Sequence, residues 1–275
     1  MALLAVVMCV NFASCSDDDE EPIKSDDGLI TNQKQLMQIK MVDDSEGSNI
    51  TWDFTYDSKG RLISIISADK YNGRTDRDTT NYIWGNNTII AKDDNSTETY
   101  YLNNNLVVKS NNSRDDNYSW SNAATFTYNS SNQLIAVQNT DTDRTYVNTY
   151  VDTYTWNNGR ITKITYTEND SYEEVYEYTY SGKTCKGYFP LYSFDEEYSD
   201  IYIVHPELIG LRCSQLPDQV YIKDDDYDDI EETIKYSYTF DKDGYVESCT
   251  EVDTEKDLSD NTTGTRTIIY TFTWE

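Results

Sequence analysis

Phe54-Thr55-Tyr56-Asp57-Ser58-Lys59-Gly60-Arg61-Leu62-Ile63-Ser64-Ile65 is the stretch that decides the fold. Phe, Thr and Tyr alternate with period two, so both rings share one face of a strand and the threonine takes the other. Asp57 can hydrogen-bond its own backbone, and Gly60 supplies the conformational freedom of a tight turn. The apolar run from Leu62 then begins the return strand. The unit is a β-hairpin with an aromatic face.

The same pattern recurs along the chain. Tyr82-Ile83-Trp84 leads into Gly85-Asn86-Asn87, Phe126-Thr127-Tyr128 into Asn129-Ser130-Ser131-Asn132, and Tyr154-Thr155-Trp156 into Asn157-Asn158-Gly159. Tyr178-Thr179-Tyr180 precedes Ser181-Gly182, Tyr238-Thr239-Phe240 precedes Asp241-Lys242-Asp243-Gly244, and the chain closes on Tyr270-Thr271-Phe272-Thr273-Trp274. Helical periodicity is almost absent. Successive hairpins of this kind build an all-β antiparallel meander, expected as a large curved sheet, half-closed or porin-like.

One stretch interrupts it. Residues 187–219 hold three of the four prolines (Pro190, Pro206, Pro217) and the sole histidine, His205. Pro206-Glu207-Leu208-Ile209 can open a short helix at the proline. The stretch reads as an insertion covering the concave aromatic face. Residues 224–232, DDDYDDIEE, read as a solvated acidic loop beside it.

The amino-terminal part has different chemistry. Residues 1–14, MALLAVVMCVNFAS, are nearly all apolar and too short to span a bilayer. They read as a signal peptide ending in Phe12-Ala13-Ser14-Cys15, which resembles a bacterial lipobox with Cys15 as the lipidated residue. The Ser16-Asp17-Asp18-Asp19-Glu20-Glu21 run that follows resembles the export tag of surface lipoproteins in Bacteroidota. No Lys or Arg precedes the apolar run, which departs from the usual leader. The expected organisation is a leader over 1–14, a lipidated cysteine and acidic tether over 15–28, and one β-meander over 29–275. The resemblance implies a protein anchored to the outer membrane by lipid and exposed on the cell surface.

The hairpin unit itself resembles the YD repeats of bacterial wall-associated and Rhs-type proteins. Over roughly residues 30–275 the architecture resembles a family of Bacteroidota lipoproteins of unknown function, described as porin-like in fold. That resemblance transfers no catalytic residues.

Charge narrows the function further. With 50 Asp and Glu against 22 Lys and Arg, the net charge is −28. Nucleic-acid binding, which needs clustered cations, is thereby excluded, and electrostatic docking on anionic lipid is disfavoured. Cys185, Cys213 and Cys249 can form one disulfide at most. The wide cysteine spacing and single histidine make no zinc pattern, so neither metal nor cofactor is expected. His205 has no nucleophile motif to serve, which leaves no catalytic residue to name. Asp241-Lys242-Asp243-Gly244 imitates the start of a calcium loop but reads as a turn.

Binding therefore leads over catalysis. The insertion aromatics Tyr188, Phe189, Tyr192 and Phe194 are the expected ligand contacts, for a glycan or a peptide strand. Their plain structural alternative is that they plug the sheet interior. A hydrolase using a carboxylate pair is the competing enzyme reading, and an outer-membrane barrel is a third class.

Overall fold

A computed structural model describes residues 33–45, 47–71, 73–114, 120–143, 146–169, 171–193, 201–224 and 230–275. The leader, Cys15 and the acidic tether lie outside them. The first eight strands are β1 (Leu36–Asp43), β2 (Ser48–Tyr56), β3 (Leu62–Tyr71), β4 (Arg74–Trp84), β5 (Thr88–Lys92), β6 (Ser96–Asn103), β7 (Leu106–Arg114) and β8 (Trp120–Tyr128). The second eight are β9 (Leu134–Asp143), β10 (Tyr146–Asn157), β11 (Arg160–Glu168), β12 (Tyr172–Thr179), β13 (Gln219–Asp224), β14 (Ile230–Phe240), β15 (Val246–Asp257) and β16 (Thr263–Trp274).

Each strand pairs antiparallel with its sequence neighbours, and β1 pairs with β16. The sheet is a closed barrel, where the sequence suggested a half-open one. Ile39 stands opposite Phe272 and Met41 opposite Tyr270, so closure completes the inner aromatic face. It also removes the two exposed strand edges that an open sheet would carry. Backbone bonds between Gln35 and Glu275, at 2.6 and 3.0 Å, fasten the seam.

The hairpin turns follow their sequences closely. Asp57 Oδ1 accepts the backbone N–H groups of Lys59 and Arg61, and Gly60 takes a φ of 80°. Asn129 and Asp241 repeat this arrangement, with Asn132 and Gly244 in the left-handed position. Asn104-Asn105 and Asn158-Gly159 are two-residue turns with positive φ at both central residues, which matches the twist of the strands they join.

The barrel wall has two chemically opposite faces. Phe54, Tyr82, Phe126, Tyr154 and Tyr270 point inward and are buried. Thr55, Thr127, Thr155 and Thr271 between them are exposed. The last ring of the triplet does more than fill space. Tyr56 donates its hydroxyl to the Leu36 carbonyl at 2.5 Å, and Trp84 and Trp156 donate indole N–H groups to Leu62 and Leu134 carbonyls at 2.7 Å. Tyr128 and Tyr180 do the same to Val107 and Ile161, and Trp274 to Val246.

These carbonyls sit where a strand pair has already splayed apart. The β9–β10 ladder, for example, ends at Ala136 opposite Thr153, short of Leu134 and Trp156. The ring therefore replaces the missing ladder bond and ties one hairpin to the next. Phe240 has no donor to offer, and Tyr238 bonds the Pro217 carbonyl at 2.7 Å in its place.

The interruption falls between β12 and β13. It contains a 3-10 turn over Pro190–Ser193, a four-residue helix α1 (Ile201–Val204) and a 3-10 turn over Pro206–Ile209. The expected helix at Pro206 is thus a single 3-10 turn, stopped by Gly210 in the left-handed conformation at φ 64°. A side chain at Gly210 would place its Cβ 2.1 Å from the Asn132 carbonyl oxygen. The acidic stretch is shorter than expected as a loop, because Asp224 ends β13 and residues 230–232 belong to β14. Cys185, Cys213 and Cys249 are buried free thiols, so no disulfide joins them.

Candidate ligand chamber

The insertion leaves the sheet at the same end as the short turns and crosses the bore. Ile201, Tyr202, Ile203 and Val204 are buried inside the wall. Tyr202 meets the rings of Tyr100 at 5.6 Å and Phe126 at 6.1 Å, both edge-on. On other sides, Phe189 meets Tyr238 at 5.6 Å, and the Gly210 carbonyl accepts the Leu134 N–H at 3.5 Å. The segment therefore touches strands around much of the circumference and closes that end as a plug.

His205 belongs to this plug. Its Nε2 accepts the Leu62 backbone N–H at 3.2 Å, which puts the proton on Nδ1, facing Glu207 Oε1 at 3.0 Å. Arg212 donates to the other Glu207 oxygen at 3.1 Å. Burial works to raise the Glu207 carboxyl, but the His205 hydrogen bond and the Arg212 guanidinium hold it below its ordinary value. The rings of Trp84 and Tyr56 stand edge-on to the imidazole at 5.7 and 6.2 Å. The only histidine thus joins plug to wall.

Of the expected ligand contacts, Tyr188 and Phe189 lie in the plug interior at 5% and 3% exposure. Tyr188 donates to the Val204 carbonyl at 3.2 Å and meets Trp274 edge-on at 5.5 Å. The Tyr192 side chain and all of Phe194 fall outside the described residues.

The other end of the bore has different walls. No described segment crosses it, and most of its inward side chains are polar, Trp120 and Ile268 being exceptions. One register row runs Glu98, Asn112, Asn122, Asp141 and Asn148 across β6 to β10. Beside it stand Tyr150, Glu168 and Tyr172, then Asp152, Tyr166, Glu174 and Asp224. Glu168, Tyr172, Glu174 and Asp224 are only partly buried, which shows that the bore admits water here.

These groups form a connected surface. Tyr150 and Tyr166 stack tilted at 5.7 Å, and Tyr166 meets Tyr172 edge-on at 5.9 Å. Tyr172 donates to Asp224 at 2.7 Å, Asn122 to Asp141 at 2.6 Å and Asn148 to Glu168 at 2.5 Å. Across the bore, Arg266 donates to Asp43 at 2.7 Å. Burial, then the neighbouring carboxylates Asp253, Glu174 and Glu255, push Glu232 up to about 7. Burial chiefly pushes Glu251 to about 7 as well.

This chamber was missed in the sequence. A signal was available: along β10 the inward positions read Trp156, Tyr154, Asp152, Tyr150 and Asn148, turning from aromatic to polar away from the turn.

The result is a closed sixteen-stranded barrel, plugged at one end and opening into a tyrosine- and carboxylate-lined chamber at the other. Its outward face is rich in Thr, Lys and Glu, the reverse of a lipid-facing barrel, whose apolar band lies outside. Exposed apolar residues such as Ile83 and Tyr101 also stand on that face.

The chain belongs to the family described as "Domain of unknown function (DUF4595) with porin-like fold", whose pattern matches residues 54–248. In fold it is similar to a porin-like protein from Bacteroides uniformis, with a TM-score of 0.68 at 19% identity over 89% of this chain and 98% of that one. A porin-like protein from Bacteroides vulgatus gives a TM-score of 0.61 at 12% identity, over 88% of this chain and 99% of that one. No curated protein matches the sequence.

Proposed function

We propose that this protein is a lipid-anchored binding module of the outer membrane, displayed on the cell surface, that takes a glycan or a peptide strand into the open end of its barrel. The observation that carries the reading is the division of the bore into an apolar plugged half and a wet, polar, tyrosine-lined half. Such a chamber has aromatic surface for packing and many side-chain acceptors for orientation, as ligand sites do. Both ends of the barrel sequence, Gln35 and Glu275, meet at the plugged end. In this reading a tether from Cys15 joins the barrel on that side. In this reading Tyr188 and Phe189 form the chamber floor from below, and an approaching ligand meets the chamber tyrosines first.

The hydrolase alternative gains nothing from the raised carboxyls. Glu232 and Asp253 share a hydrogen bond, closer than the roughly 5 to 9.5 Å that glycosidase carboxyls keep.

Two measurements test the proposal. Cells fed an alkyne fatty acid should label the protein, Cys15→Ser should abolish the label, and protease added to intact cells should release the body. Full-length Cys15→Ser protein should bind on a glycan array or a peptide array. An unlabelled protein overturns the anchor, and silence on both arrays overturns the binding module.

A further inference from the structure

Barrel closure leaves β4 with a long unpaired edge. β4 pairs with β3 from Arg74 to Asn81, but with β5 only from Asn81 to Trp84. β5 stops at Lys92, and the chain turns back to β6 at Ser96. The Asp93 carboxylate caps that turn by accepting the Asn95 and Ser96 N–H groups. Arg74–Thr80 therefore has no strand beside it on the β5 side, the longest such run among the described residues. Its outward-turned backbone N–H and C=O groups stand unpaired at the rim of the open end. An edge of this kind is a template for one more strand.

Charge on the two faces of the edge decides which strand fits. Arg74, Asp76 and Asp78 share the face of Tyr82, which points into the bore, while Thr75, Arg77 and Thr79 share the outer face of Ile83. All six are exposed, so none is held in a core. Across the ladder in β3, Asp69 stands directly opposite Asp76. Two carboxylates opposed in this way repel each other. A cation on the free side of Asp76 offsets that repulsion, and an apolar strand does not. A second copy of this chain fits poorly. Two identical strands in one antiparallel sheet pair about a single residue. Pairing about Thr75 runs out at Gly73 in the turn, and pairing about Asp76 sets that carboxylate against its copy. Pairing about Arg77 opposes two arginines and sets Asp76 against Asp78 twice.

We infer that the free edge of β4 takes up an extended peptide as an added antiparallel strand, with cations opposite Asp76 and Asp78 and carboxylates opposite Arg74 and Arg77. This rests on the binding-module reading and deepens it by naming the ligand class and its seat. Main-chain bonds hold the peptide, and its alternating side chains set the register.

The experiment is fluorescence polarisation of two labelled, end-blocked heptapeptides with the full-length Cys15→Ser protein. Val-Thr-Lys-Glu-Lys-Thr-Glu matches the edge read from Thr80 back to Arg74, and Val-Thr-Glu-Lys-Glu-Thr-Lys reverses every charge. Both are neutral and identical in composition, so the net charge of −28 favours neither. The matched peptide should bind at least about tenfold tighter, because every cross-strand charge pair changes sign in the other. Methylating alternate backbone nitrogens of the matched peptide, in its two phases, should abolish binding in one phase, since only one set of N–H groups faces the edge. The variant Arg74→Glu, Asp76→Lys, Arg77→Glu, Asp78→Lys keeps the net charge and should reverse the preference, a gain that misfolding cannot produce. Equal binding of both peptides, an unreversed preference in the variant, or no binding at millimolar peptide overturns the inference. A parent dimer in sedimentation that the matched peptide splits makes a second copy the occupant and also overturns it. Binding on the glycan array with neither peptide bound overturns the edge while leaving the binding module standing.

Discussion

Replacing Tyr56, Tyr128 and Tyr180 by phenylalanine removes three hydroxyls and nothing else. Each hydroxyl is the donor to a backbone carbonyl on the strand beside it, at Leu36, Val107 and Ile161. Those acceptor residues are 1%, 0% and 0% exposed. A buried acceptor that loses its partner costs about 1–3 kcal/mol, and the lower end applies because the phenols are only half-buried and water can reach them. The sites lie in different hairpins, so the losses should add to about 3 kcal/mol in the triple variant. Urea unfolding followed by tyrosine fluorescence and circular dichroism measures this, with an unchanged slope confirming that the same surface is exposed. Tyr101→Phe, on the outward face at 39% exposure, is the control and should shift stability by less than about 0.5 kcal/mol. A triple variant within about 0.5 kcal/mol of the parent would refute the idea that these rings replace missing ladder bonds.

Three further outcomes follow from the same geometry. Tyr202→Ala removes a ring that is 2% exposed and wedged against Tyr100 and Phe126; it should cost about 3–5 kcal/mol in urea unfolding. Gly210→Ala forces a Cβ against the Asn132 carbonyl at a positive φ; it should cost more than about 2 kcal/mol and speed proteolysis within 187–219, read by mass spectrometry. Glu251 sits at about 7 when folded against an ordinary 4.5, so the folded protein holds this proton over a range where the unfolded chain has lost it. The Glu251 share of stability should therefore fall as pH rises from about 4.5 to 7, by at most about 3 kcal/mol, with Glu232 adding a second share over the same range, and Glu251→Gln should make the slope shallower in melts taken across that range.

Much of this molecule is readable one hairpin at a time. The alternation in Phe54-Thr55-Tyr56 fixes which side chains face inward, and Asp57 with Gly60 fixes the turn, because both effects act within a few residues. Pro206 and Gly210 likewise mark the start and end of the plug's turn. Closure is different in kind. It depends on Leu36–Asp43 meeting Thr263–Trp274 across more than two hundred residues, and neither strand carries a local mark of its partner. The ring-to-carbonyl bonds were hidden for the same reason, since Trp156 and Leu134 become neighbours only once register is set. For Tyr188 and Phe189 the aromatic character was legible but not the direction. An insertion can lie over a concave face or enter it, and composition is the same in both cases.

The chamber follows from how each repeat changes along its length. Near the turn, rings tie hairpin to hairpin and the bore is filled by the insertion, so polar groups there would be buried without water. Away from the turn the strands run on past the plug, as β10 does from Trp156 to Asn148. Sixteen strands enclose a bore too wide for wall side chains alone to fill. The insertion between β12 and β13 fills the bore near the turns. The remaining inward positions face water, which is why Asp, Glu and Asn are tolerated there at the strand positions that hold Phe, Tyr and Trp near the turn. Tyr150, Tyr166 and Tyr172 keep ring surface there because they cover one another across neighbouring strands, Tyr150 against Tyr166 at 5.7 Å and Tyr166 against Tyr172 at 5.9 Å, while their hydroxyls stay near the polar groups of the bore.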